Sequence, residues 1–227
     1  MSVKITWLGQ AGLLFETAHK KIIIDPYLSN SIAAIQPHFW RRVPVEERFL
    51  KLSPDVIVLT HNHLDHTDLE TLKHYLSENT CVCVLASGNA WERVRKAFGG
   101  IRNNYVCFNR GAEWTEGDIR FKAIYAEHSD NCAIGVVIWV EEKVYYVTGD
   151  TLYRSDIFDE LPEHIDYIFL PVNGVGNNMN MADAKRFCEH IGAMAIPMHC
   201  GLFDEKDLND FVYEKKIVPE IYKEIGL

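Results

Sequence analysis

The sequence has no apolar run of the roughly 20 residues that a membrane-spanning helix needs. Its start, MSVKITWLGQ, lacks the basic stretch and long apolar core of a secretory leader. No two of its cysteines are spaced Cys-x-x-Cys. Cys81, Cys83, Cys107, Cys132, Cys188 and Cys200 mostly lie in apolar, strand-like surroundings, where a reduced thiol acts as a small hydrophobe. These absences predict a reducing, cytoplasmic setting. A basic excess is missing as well: the formal net charge of −9 argues against broad nucleic-acid or anionic-membrane partners. Linkers, low-complexity segments and tandem repeats are also absent.

What remains is an ordinary globular composition, 48% hydrophobic and 24% charged over 227 residues. That suffices for one domain over 1–227 with a sizeable core. Short alternating or β-branched runs predict strands at 3–7, 12–17, 21–24, 56–59 and 80–85. A β-rich middle follows at 105–108, 112–114, 119–125, 133–140 and 144–147, with Glu141-Glu142 as a tight hairpin turn. Further strands are expected at 165–170 and 193–196. Helices are expected from a Thr67 cap to about Ser77, from Ser87 to Gly99-Gly100, over 182–190 and over 205–215, with a helix-like stretch at 45–50. The stretch 30–42 has neither period and predicts a loop or lid. Strands with helices in both halves favour two central sheets covered by outer helices.

The strongest chemical signal is His61-Asn62-His63-Leu64-Asp65-His66, directly after the apolar run 56–59. Imidazole nitrogens and carboxylate oxygens are the usual donors to zinc and related divalent ions. His128, Asp150 and His199 each follow a predicted strand, at the rim where α/β proteins tend to place ligands. Taken singly, His128 and His199 read as satisfied histidines and Asp150 as a turn former. Taken in order, the residues form the series His-x-His-x-Asp-His, His, Asp, His.

That series resembles the metallo-β-lactamase superfamily of hydrolases, from Trp7-Leu8-Gly9 through Asp25-Pro26 to Met198-His199. The resemblance implies an α/β fold, an αββα sandwich of two mixed β-sheets packed face to face with helices outside. It further implies two divalent metal ions, zinc or manganese. His61, His63 and His128 would hold one; Asp65, His66 and His199 would hold the other; Asp150 would bridge them. Paired ions lower the pKa of a shared water toward neutrality, and Asp65 would orient that water and take its proton. Asp25 would support a ligand imidazole from behind. Trp7-Leu8-Gly9-Gln10-Ala11-Gly12 and Ile24-Asp25-Pro26-Tyr27-Leu28-Ser29-Asn30 are similar to the branch containing L-ascorbate-6-phosphate lactonase, although many relatives have His where this chain has Gln10.

The expected chemistry is therefore hydrolysis of a small ester, lactone or phosphoester. The expected partner is a small molecule, with neither nucleic acid nor membrane, and a homo-oligomer is compatible with the sequence. Trp40, Arg41 and Arg42 on the lid would meet an anionic substrate. Asn173 and Asn180, flanking the Gly/Asn-rich stretch 173–178, would line its pocket. Cys81 and Cys83 would share one face of a strand as packing, and Cys200 would point into the core. Three other readings compete. Di-iron flavoproteins have an acid in place of His63 and an added flavin domain. A phosphodiesterase or nuclease would present basic surface. A non-catalytic metal-stabilised module would tend to lose ligands. If Asp150 bridges two ions, Asp150→Ala lowers turnover and metal content together while preserving the far-UV circular dichroism; full metal occupancy with unchanged turnover would reduce Asp150 to a turn former.

Overall fold

The computed structural model describes residues 3–77, 80–99 and 102–227. Six strands follow one another across the first sheet: β1 (Lys4–Gly9), β2 (Gly12–Glu16), β3 (Lys21–Ile24), β4 (Val56–Leu59), β5 (Cys83–Ala86) and β6 (Asn104–Cys107). The first three are antiparallel and the rest run parallel from β3 onward. The second sheet contains β7 (Glu113–Glu116), β8 (Ile119–Tyr125), β9 (Ile134–Val140), β10 (Lys143–Val147), β11 (Tyr167–Pro171) and β12 (Met194–Met198). There β7 to β10 are antiparallel, and β10, β11 and β12 are parallel. The helices are α1 (Glu47–Leu50), α2 (Leu69–Leu72), α3 (Gly88–Phe98) and α4 (Met181–Ile191). Among the described residues no helix is long and apolar enough to cross a membrane.

Side-chain alternation builds the layers. In β3 and β4, Ile22, Ile24, Val56 and Val58 join the core between the sheets, whereas Ile23, Ile57 and Leu59 turn outward to Leu72 of α2 and to Ala90 and Val94 of α3. A strand apolar on both faces is one covered on both faces, and each such side chain contributes about 1.5–3 kcal/mol on burial. Phe15 of the first sheet meets Tyr145 and Phe169 of the second at ring distances of 5.4 and 5.8 Å. Glu141 and Glu142 both adopt positive φ, 50° and 63°, as a two-residue hairpin requires.

Local chemistry overrules the expected elements in several places. The stretch 205–215 holds only the single 3-10 turn Leu208–Asp210. Asp204 and Asp207 accept from the backbone N–H groups of Gly201, Lys206 and Asn209, which offers the chain an alternative to a helix. The segment then runs beside β12, with Ile217 N–H donating to Ala195 C=O. The helix after the histidine cluster is one short turn, capped by Asp68 rather than Thr67. Thr67 Oγ1 instead donates to His61 C=O at 2.7 Å, closing the histidine loop. Cys81 is exposed and precedes β5, so it shares no strand face with buried Cys83. The described part of α3 ends at Phe98, and Gly100 lies outside the described residues.

At the carboxyl ends of β3, β10 and β12, and in the β1–β2 turn, the backbone turns sharply through positive φ: Asp25 at 43°, Gly149 at 60°, His199 at 70° and Gln10 at 50°. At Gly149 a Cβ would sit 2.6 Å from Ile134 C=O and 3.1 Å from Thr60 Cβ. Left-handed backbone and overpacking together predict that Gly149→Ala destabilises the fold by about 2–4 kcal/mol. Denaturant unfolding checks this, and a loss below about 0.5 kcal/mol, the ordinary surface range, would contradict the packing.

Candidate metal centre

The strand ends bring all seven predicted donors to one place. His61, His63 and His128 have donor atoms within 4.8 Å of one another, as do Asp65, His66 and His199. The rings of His61 and His66 lie 3.9 Å apart and join the two groups. Asp150 reaches the second group, with Oδ2 3.4 Å from His66 Nε2 and Oδ1 3.2 Å from His199 Nε2. Asp65 Oδ2 stands 3.5 Å from His199 Nε2.

Each imidazole has one nitrogen near the protein's own polar atoms and its other nitrogen among the donors. His66 Nδ1 meets Asp25 Oδ2 at 2.8 Å, and the same carboxylate accepts from the Thr60 N–H and hydroxyl. His61 Nδ1 meets Thr60 Oγ1 at 3.1 Å, His128 Nδ1 meets Asn177 C=O at 3.3 Å, and His63 Nε2 meets Ser129 Oγ at 3.3 Å. His199 Nδ1 faces two amides, Gln10 Nε2 and Asn173 Nδ2, both at 3.0 Å. Such contacts fix ring orientation in metal sites. Asp25 is fully engaged in this way and is a support, although it also lies near His61 and His66.

The donor chemistry passes a second test. His61 Nε2 is buried without a hydrogen-bond partner, and Asp150 Oδ1 faces His199 Nε2 at 3.2 Å. A buried ring nitrogen left without a partner in the middle of such a cluster is costly, and it fits a cation held together with the neighbouring donors.

Without metal, protons balance these charges. Burial opposes the charge on His66 most, yet Asp150, Asp65 and Asp25 hold its pKa well above the usual histidine range. His199 is likewise raised against its burial, chiefly by Asp150. Burial works against ionised Asp150, but His199 and His66 keep it well below the usual carboxylate range. Burial, reinforced by His66, drives His61 far down.

A cavity of about 670 Å³ opens onto Asp65, Asp150, His63 and His199. Its lining corrects the substrate expectations. Ile32, Gln36 and Phe39 of the 30–42 stretch border it, while Trp40, Arg41 and Arg42 do not. Arg41 is buried and donates to the carbonyls of Tyr27 and Val43 and to the Tyr222 hydroxyl, so its guanidinium pins the loop to the body. Arg42 pairs with Glu205 at 3.2 Å, and Trp40 is 62% exposed. Asn173 lines the cavity, whereas Asn180 caps α4 by accepting from the N–H groups of Ala182 and Asp183. Cys200 is buried in the core, as alternation predicted.

Sequence reasoning missed three contributors. Asn178 is buried and donates to Asp150 Oδ2 at 2.9 Å. Gln10 donates to Asp65 Oδ2 at 2.9 Å. Asp130 accepts from Asn62 N–H at 2.8 Å and Asn89 Nδ2 at 2.6 Å, tying the His128 loop to the His61 loop. The available signal was position: Asp130 follows His128 by two residues, and Asn178 sits inside the Asn-rich loop.

Comparison with known proteins agrees with this fold. Residues 4–199 match the model of the beta-lactamase superfamily domain. The chain is 33% identical to a UPF0173 metal-dependent hydrolase of Ligilactobacillus salivarius over 97% of this chain and 95% of that one. Among solved structures, a possible metal-dependent hydrolase of Veillonella parvula superposes with a TM-score of 0.79 at 18% identity, covering 100% of both chains. A metallo hydrolase of Ignicoccus hospitalis gives 0.75 at 21% identity, over 98% of this chain and 97% of that one.

Ligation needs neutral imidazole, and carboxylates keep His66 and His199 charged above the usual histidine range. Zinc binding to metal-free protein at pH 7 is therefore expected to release roughly one to two protons, counted by calorimetry in buffers of different ionisation enthalpy. A heat independent of buffer would contradict the charge assignment.

Proposed function

The chain belongs to the beta-lactamase superfamily and is, like its relatives, a metal-dependent hydrolase; we propose that it uses two divalent ions to hydrolyse a small carboxylic ester or lactone. His61, His63 and His128 would hold one ion and Asp65, His66 and His199 the other, with Asp150 placed to serve as a ligand between them. Zinc and manganese both suit this donor set. The observation that carries the reading is His61 Nε2, buried without a partner among donors whose rings are held from behind. When bound, the ions supply a nucleophilic water of near-neutral pKa and polarise the electrophilic oxygen.

The chain's own groups do the rest. Asp65 has 19% of its side chain exposed and borders the cavity, so it can orient the attacking water and take its proton. Gln10 holds Asp65 Oδ2 and fixes its direction. Asn178 does the same for Asp150 Oδ2. The side-chain amide of Asn173 lies 3.0 Å from His199 Nδ1.

The resemblance of Trp7–Gly12 and Ile24–Asn30 to the branch containing L-ascorbate-6-phosphate lactonase supports a lactone. The phosphate half of such a substrate has less support, since neither lid arginine borders the cavity. A nuclease reading is disfavoured by the net charge of −9. A non-catalytic module would not need a cavity opening onto the donors. The six unpaired cysteines support a reducing, cytoplasmic setting.

The test is metal analysis followed by a panel of γ- and δ-lactones, aryl esters and aryl phosphodiesters, each with zinc or manganese restored. Expected are about two ions per chain, turnover of esters or lactones that chelation abolishes, and a fall of roughly 10²–10⁴ in kcat for Asp65→Asn. Turnover that survives chelation, or that is confined to phosphodiesters, would contradict the proposal.

A further inference from the structure

The cavity over the metal centre has both polar and apolar lining. Against the donors it presents the amides of Gln10, Asn173 and Asn178. Its lining also includes Ile32, Phe39, Leu64 and Phe203, drawn from three separate segments of the chain and gathered in one apolar cluster. Phe39 and Phe203 meet edge to face at 5.7 Å, and Phe203 rests on buried Tyr27 at 5.5 Å. This cluster around Tyr27, Ile32 and Leu202 is distinct from the two sheet cores. Leu64 lies between His63 and Asp65, so the apolar wall begins one residue from the donors. A volume of about 670 Å³ exceeds what the reacting group alone would fill and falls in the range of small-molecule sites, roughly 300–1,000 Å³.

Charge narrows the occupant. Apart from the donors, the charged residues bordering the cavity are Asp204 and Lys206. They offset one another in sign, and the Lys206 ammonium donates to Asn173 C=O. Arg41 and Arg42 are committed elsewhere. Among the described lining residues, a second anionic group distant from the metals would find one cation, the Lys206 ammonium already donating to Asn173 C=O and offset by Asp204, and would otherwise face an apolar and aromatic surface.

We propose that this wall selects the substrate: the scissile group meets the metal centre, and the remainder is an uncharged apolar chain or ring of several carbons packed on Phe39, Leu64 and Phe203. The inference rests on the metal-dependent hydrolase reading and adds the class of group that reading leaves open. Each methylene laid on the wall leaves water for a hydrocarbon surface, so affinity follows chain length until the wall is covered.

The test is calorimetric titration of the zinc-loaded protein with a series from acetohydroxamate to octanohydroxamate, whose common head group chelates zinc. Kd is expected to tighten by up to about fourfold per methylene. A chain of equal length ending in a carboxylate should lose most of that gain. Phe203→Ala and Phe39→Ala should flatten the dependence on length, with thermal unfolding and zinc content checked on each and Phe203→Leu as the milder variant. A Kd independent of length in the unaltered protein, or tighter binding of the carboxylate-ended chain, overturns the proposal. Zinc-loaded protein that binds no member of the series would instead contradict the metal-centre reading, and this inference would fall with it.

Discussion

The arrangement depends on holding like donors against each other. His66 Nε2 and His199 Nε2 stand 3.3 Å apart with Asp150 between them. Such a set is stable only if something positive sits among the donors, whether protons or metal ions, and if each ring is kept from turning away. Asp25, Thr60, Ser129, Asn177 and the amides of Gln10 and Asn173 supply that restraint from outside the cluster. The positive φ angles at Gln10, Asp25 and His199 are part of the same restraint. Each costs of order 1–3 kcal/mol and persists where the surrounding packing over-determines it.

The two sheets make that restraint possible. Thr60 follows a strand of the first sheet; Gly149 follows one of the second and packs against Thr60 across the junction. Ile134 N–H donates to Thr60 C=O at 3.0 Å, so the second sheet is bonded to the base of the histidine loop. Asp130 adds a side-chain tie between the same two regions. The donors are thus set by the meeting of two β layers rather than by one flexible loop.

Much of this was legible in the sequence because strand alternation and the donor series are local patterns. The run Val56–Leu59, apolar at every position, announced a doubly covered strand, and it is one. The donor series also carried the family likeness. What escaped notice depended on which way a polar side chain turns after the chain has folded. Arg41 looks like a surface cation in sequence, yet Tyr27 and Tyr222 capture it inside. Asn180 and Asn178 are two residues apart in a polar loop, yet one caps a helix and the other supports Asp150. The stretch 205–215 has helix-compatible composition, but its aspartates bind their own backbone first. In each case a hydrogen bond to a partner that spacing alone does not reveal decided the outcome.

The central claim is that two ions share Asp150 between a three-histidine set and an Asp65–His66–His199 set. Anomalous diffraction from crystals of the zinc-loaded protein tests it most directly. Two anomalous peaks about 3.5–4 Å apart are expected, one within bonding distance of His61, His63 and His128, the other of Asp65, His66 and His199, with Asp150 reaching both. A single peak at full zinc loading, or peaks that leave His128 or His199 unligated, would contradict it.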